Sequence, residues 1–307
     1  MREAFVGQNF RQERLDTIAL VNQVCEEYAA QGYNLTLRQV YYQFVARGWG
    51  ENGQKAYKRL GDTISEGRMA GLIDWSHIED RARNVAGSFA GWDDPGQFIE
   101  GVKDGYYEAL WEGQVYRPEV WVEKESLVDI VARACGRRRV PHLACKGYMS
   151  QSEMYSAAKR MRRRWLDGLQ PLVIHLGDHD PSGVDMTRDI EDRLSLMAGF
   201  RVDVRRVALN MDQIEEYQPP PFWAKVTDSR ARGYIAEYGE DSWELDALDP
   251  PVLDAVIQGA VEPLVDGTAW DEAEARQREN QDRINTIADR WGDLEDRWDD
   301  VLAVLDR

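Results

Sequence analysis

The chain has 307 residues, 43% apolar and 30% charged, enough for one large domain or two small ones around a substantial core. No apolar run approaches the roughly 20 residues a membrane span needs, and MREAFVGQNFRQERLD lacks the basic-then-apolar pattern of a leader, so a cytoplasmic protein is expected. Cys25, Cys135 and Cys145 are odd in number and lack CxxC spacing, which points to buried thiols and away from a disulfide frame or a zinc site. The net charge of −17 is unfavourable to DNA as a total, but it is unevenly placed. Residues 133–164 carry ten Lys/Arg against one acid, and residues 240–307 carry six against twenty. Attraction to phosphate follows the local field, so the total does not exclude a nucleic-acid partner.

Residues 9–32 place Leu15, Ile18, Val21, Val24, Cys25 and Tyr28 at helical period and stop at Gly32. A second helix follows over LRQVYYQFVARG, with Thr36 as its N-cap and Gly48 as its stop. A third, Gln54–Glu66, carries Lys55, Lys58 and Arg59 and leads into GRMAGLIDW, which reads as the strand and wing of a winged helix-turn-helix. Residues 86–116 are rich in Gly and Asp and read as a linker with one aromatic helix. Strand-like EVWV (119–122), PHLAC (141–145), LVIHL (172–176) and RVDVRRVAL (201–209) then alternate with helical 125–135, 151–166 and 183–197. That alternation predicts an α/β fold with a mostly parallel sheet covered on both faces. From 268 onward the chain reads as one or two acidic helices serving as a brace, a partner-binding helix or a dimer arm. The expected domains are therefore 1–85, the linker 86–116, 117–267 and 268–307.

Open sheets of this kind bind ligands beyond the carboxyl ends of their strands, and acids stand at two such ends. Glu123 follows Val120-Trp121-Val122, and Asp178 and Asp180 follow Leu172–Leu176 in HLGDHDPSG. If that segment stays extended, both aspartates point the same way. Clustered carboxylates repel unless a cation neutralises them, and Mg²⁺ (or Mn²⁺) favours one or two carboxylates plus phosphate oxygens. The structural alternative makes Asp178 a turn residue and Asp180 a helix cap. Glu125 and His179 are expected to stand aside, Glu125 in a helix first turn and His179 pointing away.

A strand ending in Glu followed by GDxDPxG at a later strand resembles a Toprim domain, the metal-binding module of topoisomerases, primases and some nucleases. CKGYMSQSEM, ALNMDQIEEYQPPP and SWELDALDP are similar to segments of topoisomerase VI A subunits, so the resemblance covers roughly 35–260. TLRQVYYQF is similar to that family's R-x-[IV]-[FY]-Y motif, whose second aromatic is the nucleophile; here it is Tyr42. On the helix, Tyr41 joins Leu37, Val40 and Phe44 on the core stripe, while Arg38 and Tyr42 share the next face. Arg38 could then hold the scissile phosphate and favour tyrosinate. The resemblance implies catalysis by Tyr42, Arg38 and Glu123, metal binding by Glu123, Asp178 and Asp180, and DNA contacts from Lys55, Lys58, Arg59, Arg68 and Lys146. It also implies a cytoplasmic, nucleoid-associated homodimer on double-stranded DNA, in which the tyrosine of one subunit meets the metal site of the other.

No Walker A pattern is present, so a separate ATPase B-type subunit would have to supply any ATP dependence. The short N-terminal part resembles the compact Mini-A proteins of bacterial and phage mobile elements more than full A subunits. Two other readings stay open: a Toprim nuclease that uses water as nucleophile, and a non-catalytic DNA-binding scaffold that keeps the fold.

Overall fold

The computed structural model describes residue 2 and residues 4–78, 94–223, 230–298 and 300. The expected end of the first domain, the first part of the linker and the last residues of the acidic segment lie outside these. The chain forms two compact units, one of residues 1–84 with 117–263 and the other of residues 85–116 with 264–307.

The first unit opens with three helices, α1 (Gln12–Ala30), α2 (Leu37–Ala46) and α3 (Gln54–Met69). A capping box starts α2: Thr36 Oγ1 accepts from Gln39 N at 3.3 Å, and Gln39 Oε1 accepts from Thr36 N at 2.8 Å. The helix α3 runs on to Met69, so the first three residues of GRMAGLIDW are helical, and the strand expected there reduces to an Ala4–Ala70 bridge. Val21, Val24, Leu35, Val40 and Ile73 are fully buried among these helices.

A four-stranded parallel sheet follows in the order β2-β1-β3-β4, built from β1 (Tyr116–Val122), β2 (His142–Ala144), β3 (Gln170–Leu176) and β4 (Asp203–Ala208). All four coincide with the stretches read as strands, and the α/β class is as expected. Between them run α4 (Val128–Gly136), α5 (Gln151–Leu166) and α6 (Pro181–Ala198). Trp121 and Val173 pack on one face against Met154, Met161, Met186, Ile190 and Leu194 of α5 and α6. Val120, Val122, Leu172 and Ile174, at the other parity, are equally buried, as a sheet covered on both faces requires. On that second side α4 packs on α7 (Pro250–Val261).

One ionic contact anchors the sheet from inside. Glu119 of β1 is 3% exposed and receives Arg160 (2.9 and 3.1 Å), Arg164 (2.7 Å) and Trp121 Nε1 (3.1 Å). Burial raises the Glu119 pKa, but the two guanidiniums prevail and hold it below the ordinary carboxylate value. Glu119→Ala should cost about 2 kcal/mol, because Trp121 Nε1 is orphaned while the part-exposed arginines recover water. Since the folded pKa is depressed, the contribution is complete above the unfolded value of about 4.3 and fades as pH falls through the folded one. Urea melts at pH 7 and pH 3 check this: a deficit as large in acid as at neutrality would mean that packing, not charge, was lost.

The second unit joins the expected linker to the acidic segment. Leu110, Trp270 and Ala273 form a small core with Trp111, whose ring meets Trp270 edge-on at 5.7 Å. Gln114 and Asp266 exchange hydrogen bonds at 3.1 and 2.7 Å, and the Asp266 carboxylate caps the long helix α8 (Gly267–Asp289). Among the described residues no helix is long and apolar enough to cross a membrane, and Cys25, Cys135 and Cys145 are buried free thiols.

Candidate functional site

The parallel strands end in two loops, and Glu123 bridges them. Its backbone N–H donates to Leu176 O at 2.8 Å, and its carboxylate Oε2 accepts from Asp178 N at 2.9 Å, so the side chain lies beneath the loop that carries both aspartates. The first turn of α6 closes on the same point. A Cβ on Gly183 would collide with the Asp178 carbonyl and press on Glu123 Oε2, which is why a glycine stands there.

Asp178 and Asp180 engage different partners, although Asp180 keeps an extended backbone (φ −137°, ψ 171°). Asp180 is the N-cap of α6, its Oδ1 accepting from Gly183 N at 2.6 Å, with Pro181 in the first turn. Asp178, 6% exposed, accepts from Leu245 N at 2.8 Å and pairs with Lys124 Nζ at 2.9 Å. His179 is buried and structural: its Nδ1 lies 2.8 Å from the Tyr234 hydroxyl. Its backbone exchanges hydrogen bonds with Trp243 at 2.8 and 2.9 Å. That two-way bridge draws residues 243–246 to the strand ends and delivers Glu244 and Asp246.

Lys124 stands at the centre. Its ammonium lies 2.9 Å from Asp178 Oδ2, 3.3 Å from Glu244 Oε2 and 3.6 Å from Asp246 Oδ2. Burial works to lower its pKa, and the three carboxylates overcome that and hold it charged. The Glu244 oxygen that faces Lys124 also receives Arg38 Nη1 at 2.6 Å and the Tyr42 hydroxyl at 2.7 Å. One network therefore runs from α2 through Glu244 and Lys124 to Asp178.

The Tyr42 phenol is held above the ordinary tyrosine range, first by burial and then by the Glu244 charge. Arg38 pulls the other way without prevailing, because Glu244 already engages it. The guanidinium therefore does not by itself bring the phenol toward tyrosinate here. Glu244 stays below its usual value: burial raises it, and Lys124, the Tyr42 hydroxyl and Arg38 outweigh that. The phenol lies on its own chain's acids, although the resemblance implies an encounter between subunits. Tyr41 packs edge-on to Tyr57 and bonds to Asn52 and Gly53.

A second cation lies under the loop. Arg206 of β4 donates to the carbonyls of Gly177 (3.0 Å), Asp178 (2.6 Å), Gly183 (2.9 Å) and Leu209 (3.1 Å) and to Thr187 Oγ1 (3.2 Å). Burial raises the Glu123 pKa, and the nearby Asp178 and Asp180 charges raise it further.

For Mg²⁺ the donor set fits in part. Glu123 and Asp180 each spend one oxygen on a backbone N–H, and their other oxygens make no hydrogen bond among the described residues. Two such carboxylates suit a hard cation that keeps several waters. Asp178 has both oxygens engaged, by Leu245 N and Lys124, and no three His, Cys, Asp or Glu side chains among the described residues are grouped to hold a metal.

Lys55, Lys58 and Arg59 are exposed on one face of α3 and make no ion pair among the described residues. Lys146 is exposed too, but pairs with Glu125 at 2.8 Å. Arg68 turns back onto the Trp75 and Ile78 carbonyls and stacks on the Trp75 ring, so it braces its loop. Beside the network opens a cleft of about 640 Å³ lined by Arg38, Tyr57, Met69, Trp75, Lys124 and Asp246.

Sequence reasoning assigned no role to Lys124, Glu244, Asp246 or Arg206. Two signals were present. SWELDALDP sets acids two apart around a leucine, and Arg206 occupies the parity that Val202, Val204 and Ala208 make apolar. No protein-family model matches the chain, and none of the curated proteins matches it.

Proposed function

We propose that this chain cleaves DNA by Mg²⁺-dependent tyrosine transesterification, as a topoisomerase VI A subunit-like enzyme of the Mini-A kind. The N-terminal helices would form its winged-helix part and the parallel sheet its Toprim part. The observation that carries the reading is the single network joining the Tyr42 hydroxyl, Glu244, Lys124 and Asp178. The Tyr42 hydroxyl thus ends among ion-paired side chains near the carboxyl edge of the sheet, which supports a role beyond filling the core.

Tyr42 attacks phosphorus, Arg38 and Lys124 offer positive charge to the phosphodiester, and the DNA is retained as a phosphotyrosyl ester. Mg²⁺ or Mn²⁺ held by Glu123 and Asp180 would stabilise charge on the phosphate in transit. Asp178 positions Lys124 and residue 245. Lys55, Lys58 and Arg59, exposed and unpaired among the described residues, suit contacts with the phosphate backbone. A double-strand break needs two tyrosines, so a homodimer belongs to the proposal, with a separate ATPase B-type subunit where strand passage is driven.

The test is incubation with supercoiled plasmid and Mg²⁺, stopped with denaturant before and after protease. Broken or nicked DNA that enters the gel only after protease is expected, and Tyr42→Phe should abolish it. Cutting that survives Tyr42→Phe but is lost in Asp178→Ala would make water the nucleophile. DNA binding without cutting under any condition would leave a scaffold.

A further inference from the structure

Resting on the proposed transesterification, we infer that the Glu244 carboxylate is the base that takes the Tyr42 phenol proton as the phenol oxygen attacks phosphorus. Among the described residues the Tyr42 hydroxyl has one hydrogen-bond partner, Glu244 Oε2 at 2.7 Å. A nucleophile, a base within direct reach and a third group that orients the base are the parts activation requires. Here the orienting groups are two cations: Arg38 at 2.6 Å from α2 and Lys124 at 3.3 Å from the end of β1. The backbone fixes the base as well. The His179–Trp243 bridge and the Leu245 N–Asp178 bond clamp residues 243 and 245 on either side of it. The charged groups facing Glu244 are thus Arg38 and Lys124, with Asp178 and Asp246 behind Lys124.

The step balances without a redox partner. The Tyr42 Oη–P bond forms, the P–O bond to one sugar oxygen breaks, and the phenol proton passes to Glu244 Oε2. The departing sugar oxygen takes a proton from water, and the hydroxide left behind is neutralised by the proton Glu244 then releases. In resealing the sugar hydroxyl gives up its proton to water as its oxygen attacks phosphorus, and Glu244, reprotonated from solvent, donates to the leaving phenol oxygen. The cations keep Glu244 a weak base, and burial keeps the phenol a weak acid, so the proton does not move in the resting enzyme. It moves only as the oxygen bonds to phosphorus and its acidity rises. The proton acceptor should therefore matter less when the phenol is more acidic from the start.

The experiment measures the rate of covalent protein–DNA adduct formation on supercoiled plasmid with Mg²⁺, in wild type and Glu244→Gln, each with tyrosine or 3,5-difluorotyrosine at position 42. Glu244→Gln should slow adduct formation about 100- to 10,000-fold, the usual contribution of a positioned base, with DNA affinity unchanged. The fluorinated phenol should restore about tenfold or more of that loss while changing the wild type little, a rescue that a purely structural Glu244 would not give. If Glu244→Gln does not fold, Glu244→Asp, which keeps the charge facing Arg38 and Lys124 but withdraws the carboxylate from the phenol, replaces it, with a smaller slowing that the fluorinated phenol still relieves. A Glu244 variant at the wild-type rate, or fluorination acting equally in both backgrounds, overturns the inference and leaves the transesterification standing. No adduct in the wild type, or an undiminished adduct in Tyr42→Phe, overturns both.

Discussion

Lys124→Met is expected to lower the melting temperature by roughly 10 °C at pH 7.5, from a loss of about 3–5 kcal/mol in a unit of this size. The side chain is 19% exposed and the carboxylate side chains of Asp178, Glu244 and Asp246 are 9%, 22% and 2% exposed, so little water is at hand to replace the ammonium. Three carboxylates left facing one another would be pushed up in pKa by burial and mutual repulsion. A carboxyl whose folded pKa is raised carries no penalty below its unfolded value and the full penalty above its folded value. The deficit should therefore grow from about pH 4 toward neutrality and nearly vanish at the acid end. Millimolar Mg²⁺ should recover part of the loss in Lys124→Met and less in the wild type, since a divalent cation supplies the missing charge. Calorimetry from pH 4 to 8 decides the point. A pH-independent deficit, or a shift under about 2 °C, would show that the ammonium is not what holds these acids together.

Arg206→Met should be comparably damaging, about 4 kcal/mol or more, for a different reason. Four carbonyls and one hydroxyl receive the guanidinium, and methionine removes that shared donor beneath the loop that carries Asp178 and Asp180, leaving Gly177 O only Leu209 N and the Thr187 hydroxyl only His175 Nδ1. Glu123, Asp178 and Asp180 also lose a positive neighbour. Arg206→Lys should rescue little, because one ammonium cannot span the carbonyls of Gly177, Gly183 and Leu209 in the way a planar fork can. Amide hydrogen exchange should rise at Leu245 and Gly183, whose N–H groups are bonded to the two aspartates, before it rises in the sheet core. Wild-type protection at those amides in Arg206→Met would sink this account.

The sheet was legible because its strands are short apolar runs set between helices, and burial on both faces leaves little freedom in where they begin and end. Glu123, Asp178 and Asp180 were legible as acids at strand ends, but their orientations were not. An extended backbone alone does not choose their partners: Pro181 starts a helix one residue after Asp180, which makes Asp180 a cap, while Leu245 N and Lys124 take Asp178. Glu244 escaped notice because its position depends on a backbone bridge between residues 179 and 243, a pairing that no local periodicity announces. Arg38 and Tyr42 were paired correctly by helical spacing. The carboxylate that both of them reach lies about two hundred residues further along.

The discontinuous second unit imposes an order on folding. Leu110 and Trp111 leave the ribosome long before Trp270 and Ala273, with the entire sheet synthesised in between. Until α8 arrives, Leu110 and Trp111 lack their native partners Trp270 and Ala273. The acid-rich stretch is therefore a late-closing half of a small core, and a ribosome stalled ahead of Asp266 would hold a finished sheet and an unfinished second unit.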